Sequence, residues 1–269
     1  MLLVSLALAG CNIPVIEGVV TDVRGEPLPG VVVDVQETGD QDVTNALGEY
    51  RVRYAPGEAN LRYLKTGFTS GLLRMEVEEP RAVQARPVAL WPLPPQKGVY
   101  FSDESYRYRP AAAVEPRRYE SNNLGVVYGI ESWQPVQTND DSPLLLAHRL
   151  PAHGLRAHRV EMTELFVESP RGDDTTIIEV WAKTREIPVE GAYIDDEGQL
   201  LEARFPEPLA PASYALHWGA LEGDPSVDSR AFLFTVLPPG APLEEEEEPG
   251  EDAEPADENG DEAEDGTSD

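Results

Sequence analysis

The sequence predicts an all-β protein: two β-sandwich domains followed by a disordered acidic tail. Three observations carry that expectation. The chain has 25 Pro and 22 Gly, and they punctuate it about every 8–12 residues, between short runs rich in Val, Ile, Leu and Tyr. Many of these runs alternate apolar and polar residues, the period of a half-buried strand, and no long stretch keeps a helical apolar period without a Pro or Gly nearby. The last 26 residues, Glu244 to Asp269, hold 15 of the 50 acids and no Lys or Arg.

The chain opens MLLVSLALAGC. Leu2 to Ala9 is apolar apart from Ser5. As a helix it would span about 12 Å, far short of the ~30 Å hydrocarbon core, which is the length of a signal-peptide apolar region rather than a transmembrane helix. Small residues follow, and then Cys11, the single cysteine of the chain. A lone cysteine closes no internal disulfide, and in an exported protein it is a free reactive thiol unless something uses it. The stretch Leu8-Ala9-Gly10-Cys11 resembles the lipobox of bacterial lipoproteins. It departs from that pattern in carrying no Lys or Arg ahead of the apolar run. The resemblance implies that residues 1–10 are a signal peptide, that Cys11 is the lipid attachment site, and that 11–14 form the lipidated N-terminus. Several acyl chains hold a membrane firmly where one holds it marginally. The expected location is the bacterial cell envelope, the outer membrane rather than the inner, facing the periplasm or the surface.

The net charge of -29 speaks against a nucleic-acid partner, which wants a basic patch. The tail lacks the apolar residues that would offset its ordering entropy, so disorder is expected over residues 239–269. Three prolines in Pro92-Leu93-Pro94-Pro95 favour a stiff extended connector. It sets a boundary between a first domain at 15–91 and a second at 98–238, with 92–97 as linker.

In the first domain, strands are expected at Ile16 to Val23, Val31 to Gln36, Tyr50 to Tyr54, Leu61 to Lys65, Leu72 to Val77 and Val83 to Leu90. Turns fall at Arg24-Gly25-Glu26-Pro27-Leu28-Pro29-Gly30, at Asn45-Ala46-Leu47-Gly48-Glu49 and at Ala55-Pro56-Gly57. Tyr50, Val52 and Tyr54 alternate with Arg51 and Arg53, an inside–outside pattern. The succession of Ile16, Gly18, Val20, Asp22, Gly25, Pro27 to Val31, Val33, Val35, then Thr44 to Val52, Pro56-Gly57 and Gly67-Phe68 resembles the carboxypeptidase regulatory-like domain. That resemblance implies a prealbumin-like (transthyretin-like) sandwich, related in shape to starch-binding domains and used as an accessory module. It implies no cofactor, and residues 12–110 hold no histidine.

In the second domain, strands are expected at Gly98–Phe101, Gly125–Gly129, Leu144–Leu150, Arg159–Glu168, Thr175–Thr184, Gln199–Phe205, Ser213–Gly219 and Arg230–Leu237. Ile178, Val180 and Ala182 share one face, and Phe232 and Phe234 another. The run from Pro208 to Leu216, followed by Phe232 to Val236, resembles the last hairpin of extracellular immunoglobulin-like modules.

Few constellations carry chemistry. His148, His153 and His158 recur every five residues, which puts neighbours on opposite faces of a strand, and Pro151 and Gly154 interrupt it. They read as loop histidines rather than a metal site. Arg171-Gly172-Asp173 reads as a hairpin turn, and Asn139-Asp140-Asp141-Ser142 lacks the spaced ligands of a calcium loop. There is no Gly-x-Ser-x-Gly and no phosphate-cradling loop. The chain is therefore expected not to be an enzyme. It reads as a non-catalytic structural or interaction module, held at a membrane by its lipid, with a polysaccharide or another envelope protein as partner. The alternative is a carbohydrate-binding module on the first sandwich. Its aromatic candidates are Tyr50, Tyr54, Tyr63 and Trp91, although the alternation of the tyrosines fits core packing.

Overall fold

The computed structural model describes residues 14–54, 57–77, 82–103, 106–134, 136–169 and 174–243. Cys11, the 1–10 segment, Arg171-Gly172-Asp173 and the acidic residues from 244 onward lie outside these. Every regular element among the described residues is a strand, apart from one 3₁₀ turn at Ala220–Glu222. None is a helix long and apolar enough to cross a membrane.

The first sandwich contains β1 (Val15–Asp22), β2 (Val32–Val35), β3 (Gln41–Val43), β4 (Glu49–Arg53), β5 (Gly57–Leu64), β6 (Gly71–Val77), β7 (Val83–Gln84) and β8 (Val88–Leu90). One sheet places β1 between β4, antiparallel, and the pair β7 and β8, both parallel to it; the other has the order β3-β2-β5-β6. Alternate residues of β1, β2, β4 and β5 point inward. Ile16, Val20, Val33, Val35, Val52, Leu61 and Leu90 are buried together with Tyr50, Tyr54 and Tyr63.

Two motif glycines have direct causes. Gly18 lies opposite Tyr50 in the β1–β4 register, and a Cβ there would meet the Tyr50 hydroxyl at 2.5 Å. Gly48 has φ +72, and a Cβ there would sit 2.3 Å from the Val20 carbonyl oxygen. Thr44 pins the Pro-Leu-Pro-Gly turn from inside: its Oγ1 donates to the Leu28 carbonyl at 2.7 Å and accepts from the Val31 N–H at 2.8 Å. Asn45 closes the next turn, its Oδ1 accepting from the N–H groups of Leu47 and Glu49.

The expected strand from Val83 to Leu90 is in fact two. Pro87 has no N–H for the ladder, so the chain pairs with β1 before it and again after it. β5 begins at Gly57, four residues ahead of expectation, because Glu58 and Asn60 mask a single inward Ala59. β3 was not expected; its two end residues, Gln41 and Val43, are exposed.

The second sandwich contains β9 (Gly98–Ser102), β10 (Tyr108–Pro110), β11 (Ala112–Val114), β12 (Arg117–Ser121), β13 (Gly125–Ile130), β14 (Gln137–Thr138), β15 (Leu145–His148), β16 (Arg156–Glu168), β17 (Thr175–Ile187), β18 (Glu190–Tyr193), β19 (Leu200–Arg204), β20 (Ala212–His217) and β21 (Ala231–Val236). A five-stranded sheet has the order β10-β9-β15-β19-β18. A larger sheet has the order β11-β21-β20-β16-β17-β13-β12, with β14 parallel to β21. Val99, Phe101, Leu145, Ala147, Leu201 and Ala203 of the first pack on Tyr214, Leu216, Phe232, Phe234 and Val236 of the second. The expected last hairpin is present as the antiparallel pair β20–β21. Its Tyr214 hydroxyl donates to the Ala210 carbonyl at 2.7 Å, the corner contact that fixes strand entry in immunoglobulin-like sandwiches. The Ile178, Val180 and Ala182 face packs with Leu165 as a separate small core.

Candidate functional site

Tyr50, Tyr54 and Tyr63 lie in the sandwich core, with exposures of 4%, 5% and 0%. The Tyr50 and Tyr63 hydroxyls bond each other at 2.8 Å, and burial raises both phenol pKa values. A sugar ring cannot stack on a face that is already packed, so these three tyrosines form no binding platform. Trp91 differs. It is half-buried at the junction of the sandwiches, its ring set edge-on to Tyr106 at 5.1 Å and 90°.

Trp91 leads to a cleft of about 840 Å³ that opens between the β9–β10 hairpin and residues 138–144. The hairpin turn is built by Asp103. Its carbonyl accepts from the Tyr106 N–H at 2.9 Å, and its Oδ1 accepts from the Arg107 N–H at 2.9 Å. Tyr106 is held at φ +55, a conformation that costs a residue with a Cβ about 1–2 kcal/mol. The Tyr108 hydroxyl donates to the Pro92 carbonyl, tying the hairpin to the connector, and burial pushes this phenol up to about 12. The Arg109 guanidinium lies 5.3 Å from the Phe101 ring centroid and donates to the Gln137 carbonyl at 2.7 Å. On the facing wall the Asp140 Oδ1 accepts from the Ser142 N–H at 2.9 Å. Ser102 lines the cleft too, and its buried Oγ has no hydrogen-bond partner among the described residues. Rings, a fixed guanidinium, carboxylates and hydroxyls together suit recognition by stacking and hydrogen bonding.

The histidines are dispersed, and of the three expected in loops only His153 is there: His148 ends β15 and His158 lies in β16, both buried. His148 Nδ1 donates to the Gln96 carbonyl at 2.9 Å, His153 is an exposed loop residue, and His158 stacks on His217 with Nδ1 and Nε2 2.9 Å apart. Burial pushes His217 down to about 3, with His158 adding to the effect; burial, then Lys183, lowers His158. Among the described residues no three His, Cys, Asp or Glu converge as a metal-ligand set. Asn139 to Ser142 forms a local turn on the cleft wall. Sequence reasoning missed Tyr106 and Arg109, although Tyr106-Arg107-Tyr108-Arg109 is a visible alternation of rings and cations.

Residues 15–89, which form most of the first sandwich, match the carboxypeptidase regulatory-like domain. No curated protein matches the chain. Among solved structures it is similar to the Bacillus anthracis TIE protein, at 10% identity over 84% of this chain and 49% of that one, with a TM-score of 0.27. It is similar to a Streptococcal ancillary pilin at 12% identity over 77% and 54%, TM-score 0.26. A chain of a type II cohesin–X–dockerin complex from Acetivibrio cellulolyticus matches at 13% identity over 29% and 58%, TM-score 0.26. The chain spans about half the length of each of these, and likeness at this level carries no argument about function.

Proposed function

We propose that this protein is a lipid-anchored envelope module that performs no chemistry of its own. Cys11 carries the anchor, and two coupled sandwiches hold an interaction surface away from the membrane. The observation that supports this reading best is the way the proline connector is stitched to both sandwiches. The Thr69 N–H donates to the Trp91 carbonyl at 2.8 Å, the Leu93 N–H to the Gly67 carbonyl at 2.7 Å, and the Trp91 N–H to Thr69 Oγ1 at 2.9 Å. From the other side Tyr108 bonds Pro92, and Arg62 of the first sandwich pairs with Glu197 of the second. A joint made this way acts as a spacer of fixed geometry rather than a swivel.

Membrane fractionation with mass spectrometry tests the anchor. Wild type partitions into detergent with acyl chains on Cys11, and Cys11→Ser releases the protein to the aqueous phase or leaves it unprocessed. Equal partitioning of the two, with no acyl adduct, refutes the reading.

A further inference from the structure

We propose that the cleft between the β9–β10 hairpin and residues 138–144 binds an uncharged sugar chain, which rests on the interaction-module reading and gives that module its ligand class. Its volume of about 840 Å³ falls within the ~300–1,000 Å³ of ligand sites, where a few convergent polar groups fix orientation.

Four features converge here. Arg109 lies over the Phe101 ring and donates to the Gln137 carbonyl, which leaves most of its five N–H donors unspent. Neither Arg109 nor its neighbour Arg107 makes an ion pair among the described residues, and the two line the same cleft. In a chain of net charge -29, that leaves two guanidinium groups free to meet a ligand there. Ser102 Oγ lacks a partner among the described residues, and a hydroxyl can both give and accept a hydrogen bond. Tyr106 is held in the left-handed region with Trp91 behind it, and backbone strain of this kind gathers at ligand clamps.

Charge decides the ligand class. Arg107 and Arg109 are balanced along the cleft by Asp103 and Asp140, so the cleft itself prefers neither ion. An anionic polymer is repelled by the chain as a whole, and a cationic one meets the two arginines. A neutral glycan fits both conditions, because its hydroxyls take N–H donors and carboxylate acceptors alike while its C–H face lies on an aromatic ring.

The experiment is affinity electrophoresis of the full chain in detergent through gels containing β-glucan, xylan, mannan or α-glucan, with polygalacturonate as the anionic control. At least one neutral polymer retards the wild type. Arg109→Ala and Tyr106→Ala each weaken that retardation at least tenfold in dissociation constant. Arg107→Ala, at an exposed side chain that makes no ion pair among the described residues, leaves the fold intact and still weakens it several-fold. Tyr54→Phe, buried in the first sandwich, changes nothing. No retardation by any neutral polymer, retardation by polygalacturonate alone, or retardation untouched by the Arg107 and Arg109 variants overturns the proposal. None of those results bears on the Cys11 fractionation, so the failure of the ligand class and the failure of the anchored module remain separable.

Discussion

Acidification from pH 8 to pH 5 destabilises the second sandwich through one buried imidazole, and His217→Gln removes most of that loss. The Gly219 N–H donates to His217 Nδ1 at 3.1 Å, so that nitrogen carries no proton. The proton of the uncharged ring then sits on Nε2, which donates to His158 Nδ1 at 2.9 Å. A second proton on His217 would set two N–H groups head to head in a site with no exposed surface. Burial opposes the charge first, and His158, Lys183 and Arg156 add to it, while Glu222 favours it; the net result is a pKa of about 3 against 6.5 for the free group. His158 faces the same cluster, where Glu186 also favours its charge, and its pKa is lowered as well.

The unfolded chain therefore binds a proton near pH 6.5 that the fold refuses until about pH 3. Stability is fully present above the unfolded value and falls as pH drops through that window. Integrated for His217 alone, the loss is about 2 kcal/mol at pH 5 and about 3 kcal/mol at pH 4. Urea denaturation at pH 8 and pH 5 measures it. Trp133, Trp181 and Trp218 lie in the second sandwich and Trp91 at the junction, so the fluorescence reports mainly on the second sandwich. His217→Gln lowers stability at pH 8 but shrinks the pH 8-to-5 difference by about 2 kcal/mol. If wild type and variant lose the same amount between the two pH values, the imidazole is not held uncharged and the proton assignment is wrong.

Gly48→Val forces a Cβ onto the Val20 carbonyl at a positive φ and lowers the first sandwich's stability by more than the ~1–2 kcal/mol of the conformational penalty alone, read by thermal melting. Thr44→Val leaves the Leu28 carbonyl and the Val31 N–H without the partners they have now, and costs about 2 kcal/mol or more by the same assay. Asp228→Asn disrupts the bonds from Arg230 and Lys97. These overcome burial to hold the Asp228 carboxyl below its ordinary range, so the variant is less stable at pH 7, and its deficit shrinks as pH falls below the ordinary carboxylate range. Deleting residues 244–269 moves the melting temperature by no more than about 2 °C, because the segment is made of charge and small residues.

The first sandwich was legible because its signals are local. Gly18, Gly25, Gly30 and Gly48 mark close approaches and turns, and Tyr50, Val52, Leu61 and Tyr63 alternate in step with the pleat. A period of two says which side chains point inward without reference to anything distant. The same rule shows why Tyr50, Tyr54 and Tyr63 were weak candidates for a sugar platform: residues that alternate with Arg51 and Arg53 belong to the core. Strands of two or three residues, such as β10, β11 and β14, escaped because so short a run has no period to read. They exist through pairing with β9 and β21, partners far off or hidden in other runs.

The cleft was illegible for the same physical reason. Its floor is Phe101, its cation comes from β10, its facing wall comes from residues 138–144, and its brace is Trp91 from the end of the first sandwich. Arg109 finds the Gln137 carbonyl 28 positions along the chain, and no spacing rule links the two. The Tyr-Arg-Tyr-Arg alternation suggests two faces of one strand, but only Tyr108 and Arg109 belong to β10. Tyr106 stands before it at φ +55, so the period breaks there, and rings and cations line the cleft together. The joint between the sandwiches and the binding surface are thus made by one hairpin. Tyr108→Phe, which removes the bond to Pro92 and keeps the ring in the cleft lining, therefore loosens the joint and weakens glycan retention.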